Sequence, residues 1–148
     1  MKQLILILLC AVLLVGCGHA SVETQPGQIS ATIYSGNDNA DGFVTTQVQL
    51  EKLNPITLVD QLIQIGVLTE DVEILALSQR GGQLFLDFSP SFATQICSQG
   101  TAGEYIIMGS VVNTFLDAYG TETVSITVNG HVLESGHVIY DFPMERFE

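Results

Sequence analysis

The first seventeen residues decide how much of this chain is left to fold. Lys2 is followed by an apolar run from Leu4 to Leu13, interrupted only by Cys10 and Ala11, and then by Leu14-Val15-Gly16-Cys17. A short positive start, an apolar core and a small residue before a cysteine follow one another as in a lipobox. Signal peptidase needs a small residue before its cut, and Gly16 supplies it; the Cys17 thiol is the side chain able to carry a thioether-linked diacylglyceryl group. Two other readings compete, an ordinary secretory signal cut near Ala20 and a membrane-spanning helix. The run is shorter than the ~18 residues a spanning helix needs. The order of charge, apolar core and cysteine favours the lipoprotein over plain secretion. Two or more acyl chains, at ~0.8 kcal/mol per buried CH2, hold a protein firmly where a single chain does not. The expectation is a protein of the cell membrane, lipid-anchored through Cys17 on the extracytoplasmic face.

Removing residues 1–16 from 148 leaves 132, enough for one domain with its own core. In that part Lys52, Arg80 and Arg146 stand against all 16 acidic side chains, a side-chain charge of about −13 with His neutral. Such a surface repels phosphate backbones and anionic headgroups, so no nucleic-acid partner is expected. With Cys10 lost and Cys17 acylated, Cys97 is the sole free thiol and no internal disulfide can form. Nothing around Cys97 marks a nucleophile, and it is expected to be a small buried hydrophobe.

Residues 17–30, small and polar with one proline, form the lipidated cysteine and a flexible tether. A domain over 31–143 follows, with 144–148 as a C-terminal tail. Ala31–Tyr34 and Phe43–Leu50 are strand candidates around a turn-rich stretch, Ser35 to Gly42. Asn54-Pro55 starts a helix with Asn as N-cap and Pro at the first helical position, and Gly66 stops it. Val72–Gln79 and Leu84–Phe88 form a hairpin across Arg80-Gly81-Gly82-Gln83. Thr101 and Glu104 have capping-box spacing before a helix whose apolar side carries Tyr105, Met108, Val112, Phe115 and Tyr119, ending at Gly120. Val124, Ile126 and Val128 alternate in a strand, and Asn129-Gly130 turns it back through His131–Leu133. From Phe43 the order is β-α-β-β-α-β, which predicts an α+β two-layer domain: a mostly antiparallel sheet with two helices on one face.

The chain has no HExxH, GxSxG, SxxK, GxGxxG, P-loop or CxxC. His131, His137 and Asp141 fall near one another in sequence, but a zinc site needs three or four convergent ligands; polar or capping roles suit these histidines better. Asn37-x-Asn39-x-Asp41-Gly42 resembles the first half of an EF-hand loop, yet Val48 occupies the place of the bidentate Glu. A tight turn built from Asn, Asp and Gly explains it more simply. Asp87, before Ser89-Pro90-Ser91, lacks a partner carboxylate or nucleophile and is assigned a capping or turn role. No cofactor, metal or catalytic residue is predicted.

Four segments in this order carry a resemblance: Asn54 to Ile63, Leu84 to Ser89, Val111 to Leu116, and Val124 to Gly130, closed by Gly136-His137-Val138-Ile139-Tyr140-Asp141. Together they resemble the GerMN domain, the sporulation and spore-germination domain of GerM lipoproteins, over about residues 31–143. The resemblance implies an extracytoplasmic, often lipid-anchored domain without established catalytic residues. In spore formers it is associated with assembling the envelope complex between mother cell and forespore, and its fold is similar to ring-building modules of secretion machines. This sequence holds one such domain where better-known members hold two in tandem.

The resulting expectation is a non-catalytic interaction or assembly module of the cell envelope, with envelope proteins and, through Cys17, the membrane as partners. Self-association stays open, as does the alternative of a protein that binds or processes peptidoglycan. A two-lobed solute-binding clamp needs a longer chain.

Overall fold

Two runs of alternating side chains lie side by side at the centre of the molecule. Strand β4 (Gln83–Phe88) pairs in parallel with β5 (Thr123–Val128), opposing Leu84 to Val124, Leu86 to Ile126 and Phe88 to Val128. All six are buried, so period-2 patterning has put one face of each strand into the core. These contacts come from a computed structural model that describes residues 27–148. Cys17 and most of the tether therefore lie outside the described residues.

Six strands and three helices follow one another in the described chain. Strand β1 (Ile29–Gly36) pairs antiparallel with β2 (Phe43–Leu50); helix α1 (Pro55–Gln64) and strand β3 (Ile74–Arg80) precede β4. Helices α2 (Pro90–Cys97) and α3 (Thr101–Tyr119) cross from β4 to β5, and β6 (His131–Val132) returns antiparallel beside β5. The order β3-β4-β5-β6 makes one four-stranded sheet, and β1-β2 makes a separate two-stranded one. The fold is α+β, as predicted. Its layering is richer than expected: β2 joins the β1 hairpin rather than the main sheet, and there are three helices rather than two.

Local chemistry explains most boundaries. Asn54 accepts from the Thr57 backbone N–H at 2.9 Å while Thr57 Oγ1 accepts from Asn54 N–H at 3.3 Å. This reciprocal cap, with Pro55 next, starts α1 where the sequence places it. The β3-β4 reversal uses Gly81 and Gly82 at φ +55° and +81°, and the β5-β6 reversal uses Asn129 and Gly130 at +49° and +76°. Positive φ at both central residues is what a tight hairpin turn requires. Gly120, at φ +61°, closes α3 with its N–H on the Leu116 carbonyl.

Helix α3 departs from the expected pattern in two ways. Its N-cap is Gly100, not Thr101, and no side chain caps it. Thr101 is already helical, which moves Glu104 round to the interior, where it is 2% exposed. Nor is the helix amphipathic through its middle, since every residue from Ile107 to Leu116 is buried. A helix buried on every side is one surrounded by protein, and its polar Asn113 and Thr114 are hydrogen-bonded to the chain around it. Here the β1-β2 hairpin covers one side, with Ala31 and Ile33 turned inward, while β5 and α2 pack elsewhere on it.

Gly109 permits the close packing of that helix. A Cβ at this position would come 2.2 Å from Phe43 Cζ and 2.9 Å from Phe147 Cβ. Removing the side chain lets two aromatic groups approach the helix backbone, and Tyr105 joins them, its ring 5.7 Å from Phe43 and 5.3 Å from Phe147. Phe88 and Phe92, both fully buried, stack at 4.5 Å and fasten α2 to the sheet. Each such ring contributes about 1.5–3 kcal/mol by leaving water.

Candidate functional site

Beyond β6 the chain runs back across α3 as a strap held by side chains. Met144 exchanges both backbone hydrogen bonds with Val124, at 2.8 and 2.9 Å. Asn113, fully buried in α3, donates to the Phe147 carbonyl at 2.9 Å and accepts from the Phe147 N–H at 2.9 Å. Its carboxamide thus takes the place of a neighbouring strand and satisfies backbone groups that burial would otherwise leave orphaned. The Tyr105 hydroxyl donates to the Glu148 carbonyl at 2.6 Å. Residues 144–148, set apart as a tail in the sequence, carry a large share of this attachment.

Two polar clusters complete the strap. The Tyr140 hydroxyl donates to Glu104 Oε1 at 2.5 Å, deep in the structure, while Glu104 Oε2 has no partner among the described residues. Burial first, and then the bond to Glu104, push the Tyr140 phenol well above its ordinary value of 10.0. At the other end, Arg146 pairs with Asp117 and donates to the Tyr34 hydroxyl at 2.8 Å; that hydroxyl donates to Asp117 Oδ2 at 2.7 Å. The bond to Asp117 leads the causes that raise the Arg146 guanidinium further, while burial leads those that raise Tyr34. One strap residue thereby links β1, α3 and the C-terminal segment.

The predicted polar positions fall in separate places. Asp87 Oδ1 accepts from Thr127 Oγ1 at 2.7 Å and from the Gly130 N–H at 2.8 Å, so it pins the Asn129-Gly130 turn, one of the two roles assigned to it. Asn37 donates through its side-chain amide to Asp41 Oδ1 at 2.8 Å and closes the β1-β2 loop, with Ala40 at φ +54°. His131, His137 and Asp141 are exposed on the surface. Among the described residues no group of three or more His, Cys, Asp or Glu side chains could hold a metal ion. Cys97 corrects an expectation: it is exposed at the end of α2, its Sγ 3.4 Å from the Glu134 carbonyl, because Phe92 and Ile96 take the buried side of that helix.

What the molecule does present is open surface. The sheet face away from the helices carries Phe85, 39% exposed, in a shallow depression of about 160 Å³. Ala76, Ser78, Ser125 and Thr127 surround it, since cross-strand partners share a face and Phe85 opposes Ser78 and Ser125. A second recess lies between α1 and the start of β3. Neither was predicted from the sequence; the exposed half of each strand's alternation was the available signal. Among the described residues no helix is long and apolar enough to cross a membrane.

Known structures share this architecture. The tandem GerMN domains of the sporulation protein GerM from Bacillus subtilis match with a TM-score of 0.65 at 18% identity, covering 86% of this chain and 49% of theirs. The chain thus spans about half the length of that protein. The first GerMN domain of the same protein matches with a TM-score of 0.56 at 20% identity, over 70% of this chain and 84% of that one. At such identities the likeness is one of fold. No curated protein sequence matches the chain. The profile of the Germane family, described as sporulation and spore germination, matches residues 32–134, from the first strand past the last. That span takes in both sheets and all three helices, and by it this chain belongs to the Germane family.

Proposed function

We propose that this chain is an envelope lipoprotein, tethered through Cys17 to the outer side of the cell membrane, whose GerMN-like domain holds other envelope proteins in place during sporulation or germination and performs no reaction. The observation that carries this reading is the Germane match across residues 32–134. The lipobox ending in Cys17 supports the anchor. The open sheet face around Phe85, which no helix covers, offers a partner protein one aromatic contact among small polar residues. The buried polar groups support the reading too: Glu104 and Asn113 are turned onto the protein's own strap and not toward a cleft.

In-cell crosslinking of the full chain, followed by identification of what is attached, tests the proposal. Capture of envelope proteins in cells entering sporulation or germination is the expected result. Incubation with purified wall sacculi supplies the opposing outcome: release of soluble wall fragments makes the protein a wall-processing enzyme and overturns the non-catalytic reading.

A further inference from the structure

The recess beside α1 has a composition that selects its occupant. Ile56, Asp60 and Ile63 fall on one side of α1 at helical spacing, and the chain entering β3 brings Glu70, Glu73 and Ile74 opposite them. The groove so formed measures about 410 Å³, within the ~300–1,000 Å³ range of clefts that hold ligands. Ile56 is 61% exposed, and Ile63 and Ile74 are partly covered, so an apolar strip is open to solvent. Asp60, Glu70 and Glu73 are exposed along it. Among the described residues no Lys or Arg pairs with any of the three; the ion pair present joins Arg146 to Asp117.

We infer that this groove binds a segment of a partner protein that presents an aliphatic side chain flanked by lysines or arginines. The inference rests on the reading of the domain as a protein-binding module and names the chemistry of one partner. Charge complementarity carries it. Three unpaired carboxylates around exposed isoleucines repel an acidic or phosphate-bearing ligand and attract a cationic one, while the isoleucines give an apolar side chain a dry seat. A second copy of this chain does not meet that description. The described residues hold only Lys52, Arg80 and Arg146 as strong cations, and Arg146 is engaged with Asp117. Two copies approaching here would bring like charges together.

The test uses the full-length chain in nonionic detergent and two labelled synthetic peptides with the same leucine pattern, one carrying lysines and the other glutamates between the leucines. The lysine peptide is expected to bind about tenfold or more tightly than the glutamate peptide. Asp60→Asn, Glu70→Gln and Glu73→Gln together weaken it about tenfold, and Ile56→Ser, at an exposed position that folding does not need, weakens it several-fold. Neutralising the exposed Glu122, Glu134 and Asp141 in the same way leaves binding nearly unchanged. No binding of the lysine peptide, an equal loss from the second set of carboxylates, or no effect of Ile56→Ser overturns the inference.

A photo-crosslinker in cells separates this claim from the broader one. Placed at Ile56, it is expected to capture a protein at a segment with Lys or Arg beside an aliphatic residue. Capture of a second copy at Ile56, or capture at Phe85 alone, sinks the groove and leaves the protein-binding role standing. No protein caught from either position overturns both.

Discussion

Tyr140 donates its phenolic hydrogen to Glu104 across 2.5 Å, joining a strap residue to the first turn of a helix 36 positions earlier. The pair belongs to the fold's own closure. Replacing Tyr140 with Phe leaves both Glu104 oxygens buried without a donor, a loss of about 1–3 kcal/mol in unfolding free energy measured by denaturant titration. Removing both partners, as Glu104→Leu with Tyr140→Phe, costs less than the sum of the two single changes, because neither polar group is then stranded.

The same phenol makes the fold sensitive to alkali. Its pKa in the folded state lies above the ordinary 10.0, first through burial and then through Glu104. A group whose folded value is raised contributes stability that is complete below its unfolded value and drains away as the pH climbs past it. Unfolding free energy is therefore expected to be flat near neutrality and to fall above about pH 10. In Tyr140→Phe that fall is shallower. Tyr34 and Tyr119, also raised, contribute to the fall that remains in this variant.

Asn113 should be as costly to lose. Asn113→Ala removes two hydrogen bonds to Phe147 and opens space in the core, for about 2–4 kcal/mol. Hydrogen exchange should quicken over residues 140–148 well before it does in the β1-β2 hairpin. Equal quickening in both would mean that the strap is not a separate unit.

Two helical glycines give opposite outcomes. Gly109→Ala drives a methyl into Phe43 and Phe147 and lowers stability by about 1–3 kcal/mol, despite the better helix propensity of alanine. Gly103→Ala meets only the Gln99 side chain, whose Oε1 at 2.8 Å can swing aside and whose Cβ at 3.3 Å must give slightly. The better helix propensity of alanine therefore prevails, and stability rises by less than about 1 kcal/mol. Melting temperatures of the two variants decide the matter.

Local signals accounted for the chain's punctuation. Asn54-Pro55, Gly81-Gly82, Gly120 and Asn129-Gly130 all act where expected, since caps and tight turns depend on a few neighbouring residues. Other features depend on distant chain. Helix α2 offers only Phe92 and Ile96 as buried positions in eight residues, too few for a periodic stripe. The Thr101-Glu104 spacing suits a cap, but the helix starts one residue earlier and Glu104 bonds the distant Tyr140 instead of its own N-terminus. Burial of α3 on all sides could not be foreseen without knowing that the hairpin and the strap would wrap it. Nor could the groove beside α1, whose isoleucines and carboxylates meet only in three dimensions.

Intact mass, combined with cell fractionation, tests the central claim most directly. Wild-type protein extracted from the membrane should lack residues 1–16 and carry added diacylglyceryl mass on Cys17, and Cys17→Ala should lose both the added mass and the membrane association. An uncut, unmodified chain recovered from the cytosol would contradict the account.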